Sequence, residues 1–167
     1  MPSARTVFLS LGSNLGDRER HLHRALELIE QHAGKLQRVS AFYRTAAWGK
    51  EEQPDFLNAA AELKTSLEPS ELLRTLLSVE EKMGRRRAEK WGPRTIDIDI
   101  LLYEDRIVDQ AGLHVPHPAL HLRRFVLEPL NEIAPGAQHP QFKKSIAQLL
   151  ADCPDHLPVE RRPAWNR

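Results

Sequence analysis

The sequence predicts an α+β fold with a ferredoxin-like βαββαβ core and a C-terminal elaboration, layered α/β/α. Three observations predict it. Apolar residues recur at helical spacing in two separate segments, Leu22 to Ala33 and Leu72 to Met83. Strand-forming runs flank them in the order strand, helix, strand, strand, helix, strand. Alternation of Leu57, Ala59, Ala61 and Leu63 with Phe56, Asn58 and Ala60 marks one of these strands as two-faced.

Val7 to Leu11 reads as a buried first strand, stopped by Gly12-Ser13-Asn14. The first helix follows, with Asn14 or Asp17 as its cap and Gly34 at its end. Val39 to Tyr43 is rich in strand formers, residues 45 to 55 read as a loop, and the alternating strand comes next. Pro69 suits the first turn of a helix carrying Leu72, Leu76, Val79 and Met83, closed by Gly84. Thr95 to Tyr103 reads as the last core strand. Beyond residue 104 the texture changes: eight of the 12 prolines lie between Pro116 and Pro163. Only Ser145 to Ala151 reads as a helix there, and the end is expected to be poorly ordered after about Pro158.

At 167 residues the chain suits a single domain, residues 1–167, with a core over about 6–104 and an elaboration over about 105–167. The 24 Lys and Arg nearly balance 23 Asp and Glu, so the whole surface is not built to attract nucleic acid or anionic lipid. Cys153 is the single cysteine and requires no oxidising compartment. No run approaches the ~20 apolar residues of a membrane helix, and a cytoplasmic protein is expected.

The strongest local signal is Thr95-Ile96-Asp97-Ile98-Asp99-Ile100. In a strand, Asp97 and Asp99 share one face, with attachment points roughly 6–7 Å apart, while Ile96, Ile98 and Ile100 take the other. Alone, such a pair reads as a polar outer face of a sheet. Just before it, however, lie Arg85, Arg86, Arg87, Lys90 and Arg94 against the single anion Glu89. Carboxylates that hold Mg²⁺ beside guanidinium groups that hold phosphate oxygens use both signs together. Gly84, Gly92 and Pro93 suit a loop that closes between fixed anchors.

The segment Gly12 to Gly16 lacks the lysine of a P-loop and reads as a strand-to-helix turn. Phe56 and Asn58 share a strand face, where a stacking ring and an amide suit the edge of a flat heterocycle. His117, after Val115-Pro116, and Arg123 suit a phosphate-facing role better than metal ligation, because Pro118 argues against a regular helix joining His117 to His121.

These pieces lie in order: Leu11 to Gly16, Phe42 to Thr45, Gln53 to Ala60, Arg85 to Ile100 and Val115 to Pro118. Together they closely resemble the 6-hydroxymethyl-7,8-dihydropterin pyrophosphokinases of folate biosynthesis, from about residue 6 to 152. The resemblance implies Mg²⁺-dependent transfer of pyrophosphate from ATP to the pterin hydroxymethyl group, releasing AMP. It implies that Asp97 and Asp99 bind two Mg²⁺ ions, with Arg85 and Arg94 stabilising charge on the transferring phosphates. Phe56 and Phe125 would sandwich the pterin, and Asn58 would bond its edge beside Thr45, Ala46 and Trp48. Glu80, Arg87, Trp91, Ile100, His117 and Arg123 fall where the family contacts ATP. The expected partners are these two small substrates, with no nucleic acid and no membrane, and a monomer is the expected state. The rival classes are an RNA-binding ferredoxin-like module, for which the aromatic RNA-binding signature is missing, and a nucleotidyl transferase using the same two aspartates.

Overall fold

Strand β1 (Arg5–Ser13) runs two residues past its expected stop, because Gly12 and Ser13 keep pairing with a neighbour. The computed structural model describes residues 3–45, 55–84 and 95–163. Helix α1 (Arg18–His32) starts where the Asp17 carboxylate accepts a hydrogen bond from the Arg20 N–H at 3.2 Å, and it buries Leu22, Ala25, Leu26, Leu28 and Ile29. Gly34 follows because nothing larger fits: a Cβ there would stand 2.2 Å from the Lys64 carbonyl oxygen.

The strand expected over Val39 to Tyr43 is two strands, β2 (Lys35–Val39) and β3 (Tyr43–Thr45). Ser40 causes the break. Its hydroxyl accepts the Ala60 N–H at 2.9 Å, taking the place of a ladder carbonyl. Strand β4 (Phe56–Thr65) pairs with both pieces on one side and with β1 on the other. Helix α2 (Pro69–Lys82) has Pro69 in its first turn, as expected, and a reciprocal cap between Glu68 and Glu71. Strand β5 (Asp97–Tyr103) lies beside β1. The chain is thus of mixed α+β class, and the paired strands run β3–β4–β1–β5, all antiparallel.

A hairpin of β6 (Val108–Gln110) and β7 (Leu113–Val115) follows, then a 3-10 turn at Leu120–Leu122. Next comes a helix the sequence reading missed, α3 (Arg124–Ile133). Pro129 inside it is the reason, since proline removes a helical hydrogen bond at a cost of about 3 kcal/mol. Val126, Leu127, Leu130 and Ile133 are all buried along one face, each worth roughly 1.5–3 kcal/mol, and packing outweighs the proline. A small hairpin, β8 (Gln138–His139) with β9 (Lys144–Ser145), leads into α4 (Ile146–Ala151), capped by Ser145. Among the described residues the expectation of a poorly ordered end after about Pro158 does not hold: β10 (Glu160–Arg161) pairs with Tyr43 and Arg44 and forms the outer edge of the sheet.

Two apolar clusters hold the sheet. Leu9, Leu11, Leu57, Leu63, Ile98 and Ile100 pack with α1 and α2 on one side. Phe8, Ala60, Leu101 and Leu102 pack with α3 and α4 on the other. The second cluster covers only part of its face, and the aspartates lie on the remainder.

Candidate active site

Register across four strands assembles the site. Tyr43 is paired with Asn58, Asn58 with Gly12, and Gly12 with Asp97. The adjacent row is Ala60, Ser10 and Asp99, and Thr45 opposes Phe56. Directly paired residues share a face, so Phe56, Asn58, Asp97, Asp99 and Thr45 all project to the side opposite Leu57, Leu11 and Ile98. Asp99 is exposed and Asp97 half-buried.

Gly12 lies between the two groups. A Cβ there would be 2.8 Å from Asn58 Oδ1 and 3.6 Å from the Phe56 ring, so the absent side chain leaves the Asn58 amide its place. Asn58 is buried, and its Nδ2 donates to Thr45 Oγ1 at 2.9 Å, which fixes the plane of the amide. At the mouth of the next segment, Asp55 is held by Arg44 at 3.4 Å, and its carbonyl accepts from Arg18 at 2.6 Å.

On the acidic side, β5 borders the sheet next to β1, and α2 reaches its outer edge. The Glu80 carboxylate, buried, accepts the Ile98 N–H at 2.8 Å, between the two aspartates. The Ile100 side chain lies in the core with Ile98. Any contact of Ile100 with a ligand therefore runs through its main chain, which shares the outer edge with Ile98 by the two-residue period of a strand.

His117 stands near both Asp99 and Arg123. The His117 N–H donates to the Leu101 carbonyl at 3.0 Å, and its Nδ1 accepts the Ala119 N–H at 3.1 Å. Burial holds the imidazole below its usual range, with Asp99 opposing and Arg123 adding to the effect. The neutral ring with an accepting Nδ1 keeps its proton on Nε2, a donor for an anion. The Arg123 guanidinium lies 5.8 Å from the centre of the half-buried Phe125 ring.

The structure therefore brings together Asp97, Asp99, Phe56, Asn58 and Thr45 on one face, with His117 close to Asp99 and to Arg123, which lies beside Phe125. Arg85, Arg87, Trp91, Arg94, Ala46 and Trp48 lie outside the described residues. Among the described residues no group of three or more His, Cys, Asp and Glu is placed to hold a metal, and no helix is long and apolar enough to cross a membrane. Two site-side residues escaped the sequence reading. Gly12 contributes an absence of side chain, and Ser10 stands beside Asp99. Only the full strand register could reveal either.

The fold matches those of solved structures. It superposes on a solved HPPK-DHPS structure in complex with substrates with a TM-score of 0.72 at 17% identity, over 89% of this chain and 43% of that one. A wild-type HPPK-DHPS structure from Plasmodium falciparum gives 0.73 at 18% identity. The chain thus spans less than half of those solved chains. The family model described as 7,8-dihydro-6-hydroxymethylpterin-pyrophosphokinase (HPPK) matches residues 8–135. Relatives named 2-amino-4-hydroxy-6-hydroxymethyldihydropteridine pyrophosphokinase are 46% identical in Aquifex aeolicus, over 86% of this chain and 89% of the relative, and 48% identical in Bacillus subtilis, over 76% and 77%. The chain belongs to the 7,8-dihydro-6-hydroxymethylpterin-pyrophosphokinase family.

Proposed function

We propose that the chain transfers pyrophosphate from ATP to the hydroxymethyl group of 6-hydroxymethyl-7,8-dihydropterin, releasing AMP, on the sheet face between Asn58 and Asp97. The observation that carries the site assignment is the row Asn58–Gly12–Asp97. Neighbouring strands lie about 4.8 Å apart, so the backbone positions of Asn58 and Asp97 are separated by about 10 Å with only a glycine between them. That span suits a pterin on one side and a polyphosphate on the other. The antiparallel strand order supports reading the core as ferredoxin-like, and the chain is read as a single-domain, cytoplasmic monomer.

The donor chemistry of the acidic side fits Mg²⁺, which is usually held by one or two carboxylates, with waters and substrate phosphates completing its shell. Asp97 and Asp99 would hold two such ions, which supply neutralisation of phosphate charge and polarisation of the β-phosphorus. Phosphoryl-type transfer demands positioning and charge stabilisation more than covalent chemistry. Phe56 and Phe125 stack on the pterin, while Asn58, with Thr45 and the Ala46 and Trp48 main chain, reads its edge. His117 donates through Nε2 to a phosphate oxygen, Arg123 contributes charge, and the Ile100 main chain meets the nucleotide. Arg85 and Arg94 are assigned to the charge that develops on the bridging oxygens, and Arg87 and Trp91 to ATP.

The assignment is tested with metal-depleted protein. AMP formation should return on adding Mg²⁺ to the wild type, and Asp97→Asn should show little recovery at the same concentration. Equal recovery by the variant refutes the role of Asp97.

A further inference from the structure

Behind the Asn58 side of the site lies a polar knot that neither the reaction nor the family match explains. Glu132, near the end of α3, uses both carboxylate oxygens. Oε1 accepts the Tyr43 hydroxyl at 2.6 Å and Arg161 Nε at 3.2 Å, while Oε2 accepts the Ala41 N–H at 2.9 Å. Tyr43 is buried and stands directly opposite Asn58 in the register, two residues before Thr45, the partner of the Asn58 amide. Arg161 belongs to β10, beyond residues 8–135 matched by the family model. That strand is fastened to β3 by its pairing, by Arg44 to Glu160 at 2.9 Å, and by the Arg162 N–H to the Phe42 carbonyl at 2.7 Å.

We infer that Glu132 is a positioning residue for pterin binding, holding Tyr43 and β10 against β3 so that Asn58 and Thr45 keep one geometry. The inference rests on the reading of Asn58 and Thr45 as the pterin-contacting pair. The physical reason is local. Strand β3 has three residues, and a short edge strand carries few ladder bonds of its own. Glu132 adds a second anchorage from α3, and β10 covers the otherwise unpaired edge. The two Asp and Glu80 hang on β5 and α2, across β4 and β1 from this knot, and Arg123 stands at the opposite end of α3 from Glu132, so loosening the knot acts on one substrate.

The test is steady-state kinetics of the full-length chain with each substrate varied in turn. In Glu132→Ala the KM for the pterin should rise about tenfold, with kcat and the KM for ATP within about twofold of wild type. Tyr43→Phe, which keeps the ring and loses the hydroxyl, should move the same constant in the same direction by less. Arg161→Ala should also raise it, and Arg161→Lys should restore it in part. A pterin KM within about twofold of wild type in Glu132→Ala overturns the inference, as does a parallel change in the ATP constants. If Glu132→Ala does not fold, as judged by its circular dichroism, Arg161→Ala decides by the same criteria. Wild-type protein that forms no AMP with the pterin refutes the underlying reading instead, so the two failures are distinct.

Discussion

A Glu80 carboxyl oxygen accepts the Ile98 main-chain N–H at 2.8 Å, placing a buried carboxyl group from α2 against the strand residue that separates Asp97 from Asp99. An edge strand presents unpaired N–H groups, and here one of them is satisfied by a side chain. The bond pins the strand residue between the two aspartates to α2. Outer partners that orient metal-holding groups are typically worth about 10–100-fold in affinity or activity. Glu80→Ala should therefore lower kcat within that range, and Glu80→Gln, whose carbonyl oxygen still accepts, should lower it less. Steady-state turnover at saturating Mg²⁺ checks the order of the two variants.

Asp99 is the exposed member of the pair and lies near His117. Its replacement by Asn removes one of the two carboxylates on the acidic side. Turnover should fall about a hundredfold or more, the scale of losing one preorganised electrostatic contact. Pterin binding, measured by fluorescence without nucleotide, should remain within about twofold of wild type.

Gly12 is required by close approach. In Gly12→Ala the new methyl group would stand 2.8 Å from Asn58 Oδ1, and the amide, tied to Thr45, has to move. The expected result is a pterin KM raised about tenfold with the fold intact. Steady-state kinetics with the pterin varied, beside the circular dichroism of the variant, checks it.

Much of the fold was legible. Pro69, the Asp17 cap and the stripe from Leu72 to Val79 declared α1 and α2 locally, and the two-residue period put Asp97 and Asp99 on one face. What escaped was decided at long range. Pro129 concealed α3, whose stability comes from burial against the sheet. Strand β10 is two polar residues with no pattern of its own, and it exists only because β3 offers an edge. The partnership of Tyr43 with Glu132 spans 89 positions, and no local spacing announces it. In the site, Asp97, Asp99, Phe56 and Asn58 were visible as residue types. That Glu80 is buried under β5 and that Ile100 turns its side chain to the core follow only from the packing.

Glu132 also gives a pH signature. Burial by itself would raise its carboxyl, but the Tyr43 hydroxyl, the Ala41 amide and Arg161 outweigh it and hold the pKa below the ordinary 4.5, while burial and the same contact push Tyr43 up to about 12. A depressed carboxylate contributes stability that is present above its unfolded value and lost as pH falls through the folded one. The difference in unfolding free energy between wild type and Glu132→Gln should therefore be full at neutral pH and shrink steadily below about pH 4.5. Urea titrations across that range check it, and a difference independent of pH contradicts it.

The most direct test of the central claim is product analysis with ATP and 6-hydroxymethyl-7,8-dihydropterin. The account predicts AMP and pyrophosphorylated pterin in equal amounts, formed only when Mg²⁺ and both substrates are present. ADP with a monophosphorylated pterin, or nucleotide turnover indifferent to the pterin, would contradict it.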